Sequence, residues 1–413
     1  MTSQIVLINQ MGIGIASDTL MTSSGSEGKK TTPSSNKIYE VGPDHSVVVL
    51  HNGETTIGLV SFELLIHEWS RTLEKPLSTV KDYAESFEKW FPTFDAVPLA
   101  KSWIIHPYFC DLWKRFAELL DSDVHMELLR ADDLDEDLEQ QFIDAINEFA
   151  QEVVLPRDKI PGISSAQSKN TIEDASEDVV EHCIAHIQSF FNDDFTVDWS
   201  PTAKMQEAIT NVALQALMHA RANGRIAELT FVGYGTNDVL GSHVRQIIYS
   251  AYAEKLNTTT FVEYPFTGGE GIANRSWYAT LGQDEAMEAF VQGVSDSTLN
   301  YIEFLANQAL SENSDEVDEG FVSNFMESVN DHLMNKFTLP FVNTIAGLSV
   351  RGLVRFAEAM LEIESLRAAS GSGTGTVGGE IDSLLITKRD GINWCYRMIK
   401  DLDGEGHSPH PFL

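Results

Sequence analysis

Cysteine is scarce in this chain of 413 residues. The three that are present, Cys110, Cys183 and Cys395, lie far apart and form no C-x-x-C pair. An odd number of widely spaced cysteines predicts neither a disulfide framework nor a zinc site. We therefore expect a protein of the reducing cytoplasm, with no bound metal.

Basic residues are also few, because 28 Lys and Arg residues stand against 62 Asp and Glu residues, which gives a net charge of −34. A surface of this sign repels the phosphate backbone of nucleic acid and anionic membranes. Neither is expected as a partner. The acidity itself is typical of a well-solvated surface or a salt-adapted host, and it specifies no activity.

Long apolar runs are missing as well. No stretch has the length that a membrane-spanning helix needs. The first residues lack the basic region, apolar run and small-residue cleavage site of a secretory signal. We expect no membrane span and no secretion.

Glycine-rich motifs for phosphate binding are incomplete. Residues 12–17 read G-x-G-x-x-S, but the polar residues that follow do not predict the helix whose amino terminus would hold a pyrophosphate. Residues 26–31, SEGKKT, lack the first glycine of a Walker A loop. No G-x-S-x-G or H-E-x-x-H motif is present, and no cofactor is expected.

The hydrophobic pattern places strands towards both ends of the chain and helices between them, which predicts an α+β fold. Predicted strands cover 4–8, 12–17, 37–41, 46–50, 225–235 and 242–252, with a polar loop over 19–36. Helical periodicity begins near Glu54, dominates the acidic block 76–225, and returns at about 284–295, 298–311, 317–336 and after Ser349. A final hairpin turns at Asp390-Gly391, so the first and last strands are expected to share one sheet.

Three residues near the start of the chain form a pattern. Thr2 stands sixteen residues before Asp18, and Lys37 opens the predicted third strand as NKIYEV. This arrangement resembles the proteasome β-subunit family of N-terminal nucleophile (Ntn) hydrolases and, within it, bacterial proteasome-like proteins. In that family the mature chain begins on Thr, an Asp ends the second strand, and a Lys leads the third.

Two further segments resemble the same family. VVVLHNGETTIGLVSFELLIHEW (47–69) is similar to its fourth strand, turn and first helix, and VGGEIDSLLITKRDGINW (377–394) to its G-G-x-[IV]-D strand and hairpin. The resemblance implies a four-layer αββα Ntn-hydrolase sandwich built from 1–75 and 226–398. A helical insertion, 76–225, would interrupt it, and a flexible tail, 399–413, would follow.

The resemblance also implies a chemistry. The Thr2 hydroxyl would be the nucleophile, and its own free α-amine, with a pKa of about 7.7–8.0, the base. Lys37 would favour the neutral amine and stabilise negative charge on the hydroxyl oxygen, while Asp18 would hold Lys37. Backbone N–H groups of His51, Asn52 and Gly53 would form the oxyanion hole. Met1 must be removed, because an upstream residue turns the amine into an amide.

The sequence departs from the family at several supporting positions. His51 stands where the family usually has glycine, and its supporting Asp and Ser fall on Thr374 and Val377. Gln283 and Asp284 replace an expected serine. Two expectations therefore stay open. One is a threonine-type hydrolase of peptide or amide bonds. The other is a catalytically inactive subunit of a homo-oligomeric ring that recruits partners through 76–225. In either case the resemblance implies a homo-oligomeric ring, and an unidentified ATPase or adaptor is kept open as a partner.

Overall fold

Two five-stranded antiparallel sheets carry the predicted site residues in the computed structural model of the protein. The structure describes residues 2–25, 28–33, 36–44, 46–57, 60–94, 109, 112–120, 124, 128, 135–155, 159, 165–173, 176–189, 200–219, 227–252, 255–263, 276–313, 321–370 and 377–397. The described chain mixes helices with these sheets, so the predicted α+β class is confirmed. The expected tail, 399–413, lies outside the described residues, as do Met1, Cys110 and Thr374.

The strands are numbered in chain order. They are β1 (Ser3–Asn9), β2 (Gly12–Asp18), β3 (Leu20–Gly25), β4 (Gly28–Pro33), β5 (Ile38–Val41), β6 (Val47–Gly53), β7 (Thr56–Ile57), β8 (Val60–Ser61), β9 (Ala227–Gly233), β10 (Ser242–Tyr252), β11 (Lys255–Glu263), β12 (Ser276–Gly282), β13 (Ile381–Thr387) and β14 (Gly391–Tyr396).

The helices follow the same rule. They are α1 (Phe62–Arg71), α2 (Val80–Trp90), α3 (Glu136–Phe149), α4 (Ser165–Glu173), α5 (Ser176–Ser189), α6 (Ala203–Met218), α7 (Glu285–Gln292), α8 (Asp296–Asn313), α9 (Phe321–Leu333), α10 (Leu339–Gly347) and α11 (Val350–Ser370). No described helix combines the length and the apolar character needed to span a bilayer.

The first sheet joins the two ends of the chain. Its strand order is β12-β1-β2-β13-β14, so β2 pairs with β1 on one side and with β13 on the other. In the β2–β13 pair, Asp18 lies opposite Ile381. The turn between β13 and β14 ends at Gly391, whose φ of +66° suits glycine. The predicted pairing of the first strands with the last hairpin is thus confirmed.

The second sheet has the order β11-β10-β9-β6-β5. Its strands β6, β9 and β10 follow the predicted apolar runs, but β11 and the edge strand β12 of the first sheet do not. Both have mixed sequences, KLNTTTFVE and SWYATLG, in which apolar and polar residues do not alternate regularly. Their β-branched and aromatic residues do favour an extended backbone.

The prediction of a polar loop over 19–36 is wrong in part, because two segments of this stretch form a hairpin. Strands β3 and β4 form a separate two-stranded sheet in which Leu20 pairs with Pro33 and Gly25 with Gly28. Serine, threonine and glycine made this stretch read as a loop, yet threonine has a high strand propensity.

Apolar side chains from both sheets meet in one core. Val6 and Ile15 of the first sheet pack there with Val48, Leu50 and Val232 of the second. The outer face of the second sheet packs on α1 and α2, and that of the first on α7, α10 and α11. The layers therefore run helices, sheet, sheet, helices, and residues alternate between two buried faces along each strand.

The middle of the chain contributes a helical unit with its own hydrophobic core. Trp113, Phe116 and Phe142 lie in this core with side chains of α5 and α6. Helix α2, although it falls within 76–225, packs instead with α1 against the second sheet. In the described chain, the separate core thus begins at Phe109 and runs to Leu217. Its first residue lies well after residue 76, where the predicted helical insertion begins.

Candidate functional site

A buried ion pair links the two sheets at one end of the molecule. The Lys37 Nζ atom lies 2.6 Å from Asp18 Oδ1, and the two side chains are 5% and 0% exposed. Lys37 Nζ also donates to the Leu20 carbonyl oxygen at 2.7 Å. The expectation from the family resemblance that Asp18 holds Lys37 therefore agrees with the geometry of the folded chain.

Asp18 also reaches the residue that follows Thr2. The Ser3 N–H donates to the same Oδ1 atom at 2.9 Å, and the Gly378 N–H approaches Oδ2 at 3.5 Å. Because one oxygen atom accepts from both groups, the Lys37 ammonium lies within two hydrogen-bond lengths of the Ser3 amide. Three segments that are distant in sequence converge on this carboxylate.

Thr2 itself is held at the end of the first sheet. Its carbonyl oxygen accepts from the Gln283 N–H at 2.7 Å, and the residue is 9% exposed. Gly282 has a φ of +84°, and a Cβ built on it would lie 2.0 Å from the Thr2 carbonyl oxygen. The close approach of the two backbones thus requires glycine at this position.

Gln4 connects the sheets beside Thr2, and its role was not predicted. Its Nε2 atom lies 3.2 Å from Ser17 Oγ, 3.3 Å from the Lys37 carbonyl oxygen and 3.5 Å from that of His51. The sequence does carry a signal for this role, since a polar residue opens the apolar run QIVLI. A glutamine in such a strand is buried with it, and its amide then needs hydrogen-bond partners.

Burial dominates the electrostatics of the pair. It lowers the pKa of the Lys37 ammonium, against the opposing effect of the Asp18 and Asp382 carboxylates. It raises the pKa of the Asp18 carboxyl, which Lys37 and the Ser3 N–H oppose. Lys37 therefore releases a proton more readily than a surface lysine does.

The structure changes the expected role of two backbone donors. The His51 N–H donates to the Lys37 carbonyl oxygen at 3.0 Å within the second sheet. In this conformation it is therefore not directed at a substrate. Because N–H groups alternate in direction along a strand, the N–H of Asn52 is directed at β9, and of the expected oxyanion hole only Gly53 is left. Asn52 and Gly53 lie at the end of β6, opposite Glu228 and Ala227 of β9.

The His51 side chain is structural in this conformation. Its Nε2 atom lies 2.8 Å from the Glu54 carbonyl oxygen, which can only accept, so Nε2 carries the proton. The ring stacks on Phe62 with centroids 4.8 Å apart. Burial lowers the pKa of His51 to about 4, and the ring is neutral at pH 7. This hydrogen bond holds the turn that follows β6.

Gln283 and Asp284, which stand where the resemblance implied a serine, lie directly before the start of α7. Gln283 bonds to Thr2 through its backbone, and α7 begins after Asp284. Two N–H groups in the first turn of α7, on Ala286 and Met287, donate to Glu364 Oε2 of α11 at 2.8 and 3.1 Å. Glu364 thus caps α7 from a neighbouring helix.

Across the described residues, histidine, cysteine and carboxylate side chains form no group of three or more that is suited to a metal ion. No protein-family model matches the sequence, and no curated protein is significantly similar to it. A functional interpretation of this end of the molecule therefore depends on its own contacts.

Proposed function

We propose that the chain is an N-terminal nucleophile hydrolase in which Thr2, whose α-amine is freed by removal of Met1, cleaves amide or peptide bonds. The supporting observation is the Asp18 carboxylate that accepts from both Lys37 and Ser3. It ties a buried cation to the residue next to the nucleophile. The helix-sheet-sheet-helix layering is what an Ntn-hydrolase sandwich requires, and the site lies where the first sheet begins.

The reaction needs a base beside the hydroxyl. The neutral α-amine of Thr2 takes the proton of its own Oγ1, and the oxygen attacks the carbonyl carbon of the substrate. The C–N bond then breaks, the proton passes to the leaving amine, and an ester to Thr2 remains. Water activated by the same amine hydrolyses this ester, so the free threonine is regenerated.

Lys37 contributes charge in this scheme. A cation near the α-amine disfavours its protonated form, and it stabilises the negative charge that develops on Oγ1. Asp18 keeps the ammonium in place and is itself fixed by the Ser3 N–H. Both acidic and basic groups are buried, so water screens their fields less than at a surface.

The test has two parts. Intact mass of the purified chain reports whether Met1 is absent, as the mechanism requires. A threonine-directed peptide epoxyketone should then add once, at Thr2, and Thr2→Ala should abolish the adduct. Thr210→Ala, in the helical unit, is the matched control and should label like the wild type. A chain that keeps Met1, or an adduct that persists in Thr2→Ala, would reject the proposal.

A second candidate is the inactive, ring-forming subunit. The observation that favours it is a set of exposed aromatic side chains on α7, α8, α9 and the π-helical segment Met334–Thr338 that follows α9. They are Phe290, Tyr301, Phe304, Phe321, Phe325 and Phe337, all between 37% and 59% exposed. Exposed apolar surface of this kind is typical of protein interfaces. A ring in light scattering, together with no epoxyketone adduct at Thr2, supports this candidate. Phe304→Glu with Phe325→Glu should dissociate the ring.

A further inference from the structure

The side-chain amide of Asn52 is buried without a protein partner. The residue is 2% exposed, and neither its Nδ2 nor its Oδ1 atom has a hydrogen-bond partner among the described residues. Leaving a buried amide unpaired costs free energy in the folded state. An unpaired polar group in a folded protein therefore needs an explanation, and a ligand that pairs with it is one.

Strand alternation shows which way Asn52 faces. Val48 and Leu50 of the same strand lie in the core between the sheets, so Asn52 points into the same space. Gln4 shares that space, because Val6 and Ile8 of its strand also lie there. Its Oε1 atom is likewise buried and unpaired. Its Nε2 atom approaches the carbonyl oxygen of His51, the neighbour of Asn52.

The charges near Asn52 are already paired. Glu228 lies opposite Asn52 across the β6–β9 pair, and Arg245 binds its two carboxylate oxygens at 3.2 and 3.0 Å. Lys37 is paired with Asp18. The unpaired groups are therefore neutral, and they comprise a donor on Asn52 and acceptors on Asn52 and Gln4. A ligand that satisfies them has a neutral carbonyl oxygen together with an N–H group.

We propose that Asn52 and Gln4 form a binding site for a neutral amide group. Asn52 Nδ2 donates to the amide oxygen, and Asn52 Oδ1 or Gln4 Oε1 accepts from the amide N–H. This site lies at the Thr2 end of the space between the sheets. Its assignment to the substrate rests on the proposed function, whereas the binding of an amide does not.

Binding is measured by saturation-transfer NMR on the full-length protein with three probes. These are N-acetylglutamine methylamide, N-acetylmethionine methylamide and N-acetylglutamate methylamide. If the site binds a side-chain carboxamide, the glutamine probe should bind at least fivefold more tightly than the other two. A backbone amide as the ligand predicts equal binding of all three. In either case Asn52→Leu or Asn52→Ala should weaken binding at least fivefold. Unchanged binding in both variants, or no binding of any probe, would overturn the proposal.

Thermal unfolding gives a second, independent result. Asn52→Leu replaces an unpaired buried amide by an apolar group of similar size, so the melting temperature should rise by a few degrees. Asn9→Leu is the matched control, because Asn9 Nδ2 donates at 2.9 Å to both the Ile345 and Leu348 carbonyl oxygens. Its replacement should lower the melting temperature. A comparable fall for Asn52→Leu would mean that Asn52 has a structural partner, which contradicts the site.

The two proposals fail in different ways. If the epoxyketone does not add to Thr2 of the wild-type protein but the amide probes still bind, the hydrolase is rejected and the amide site is kept. A normal Thr2 adduct, with binding that does not depend on Asn52, would do the reverse.

Discussion

Gly282 and Thr2 approach so closely that a Cβ on Gly282 would lie 2.0 Å from the Thr2 carbonyl oxygen. The same backbone region supplies the Gln283 N–H that bonds to this oxygen at 2.7 Å. The position of Thr2 therefore depends on a residue at the end of β12, although the two are far apart in the sequence.

Gly282→Ala should displace Thr2. The added methyl group collides with backbone, and the φ of +84° is unfavourable for alanine, so we expect a loss of about 1–3 kcal/mol in the free energy of unfolding. Urea denaturation measures it, and epoxyketone labelling of Thr2 should slow. Gly347→Ala is the control, since nothing lies within 4 Å of its added Cβ. Equal stability of the two variants would show that Thr2 is not held in this way.

Lys37→Met should destabilise the fold as well as remove the proposed activity. It leaves the Asp18 carboxylate buried without its cation, which typically costs about 3–5 kcal/mol. Adding Asp18→Asn should recover part of this loss. The control is Lys89→Met, whose 77% exposed side chain pairs only at the surface with Glu85. A Lys37→Met protein as stable as the wild type would contradict the buried pair.

The stability of the protein should fall in acid because His51 is buried and neutral. Its pKa is lowered from 6.5 to about 4, so between these values the unfolded chain binds a proton that the folded chain does not. Stability is therefore complete above pH 6.5 and decreases towards pH 4, by about 3 kcal/mol for this residue.

The variant that checks this is His51→Gln, whose amide can still donate to the Glu54 carbonyl oxygen. Urea denaturation at several pH values should give a smaller decrease than in the wild type. His243, whose pKa burial also lowers to about 4, should continue to contribute. An identical pH profile for the variant would show that His51 is not the group that titrates.

Trp69 anchors the outer core of the second sheet. It is fully buried and meets Tyr83, Phe87 and Phe231 edge to face, at centroid distances of 6.5, 5.4 and 5.9 Å. Trp69→Ala should cost about 3–5 kcal/mol, measured by chemical denaturation. Leu64→Ala, on the same helix but 45% exposed, should cost far less. Similar losses in both variants would contradict this packing.

The contact between Asp18 and Lys37 was predictable from the family resemblance, because the hydrophobic pattern shows the strand ends at which the two residues stand. Strand β12, which fixes Thr2, was not predicted because its short mixed sequence carries no alternation. Gln4 was missed for another reason. Its backbone acceptors come from residues 33 and 47 positions away, and only the packing of two sheets brings them together.

The pairing of β2 with β13 also has a temporal consequence. The Gly378 N–H that approaches Asp18 lies 360 residues further along the chain, and the strand beside β2 ends at Thr387. During translation the amino-terminal strands leave the ribosome long before that neighbour exists. Any chemistry of Thr2 that needs the finished carboxylate environment is thus withheld from the nascent chain until Gly378 and β13 have been synthesised.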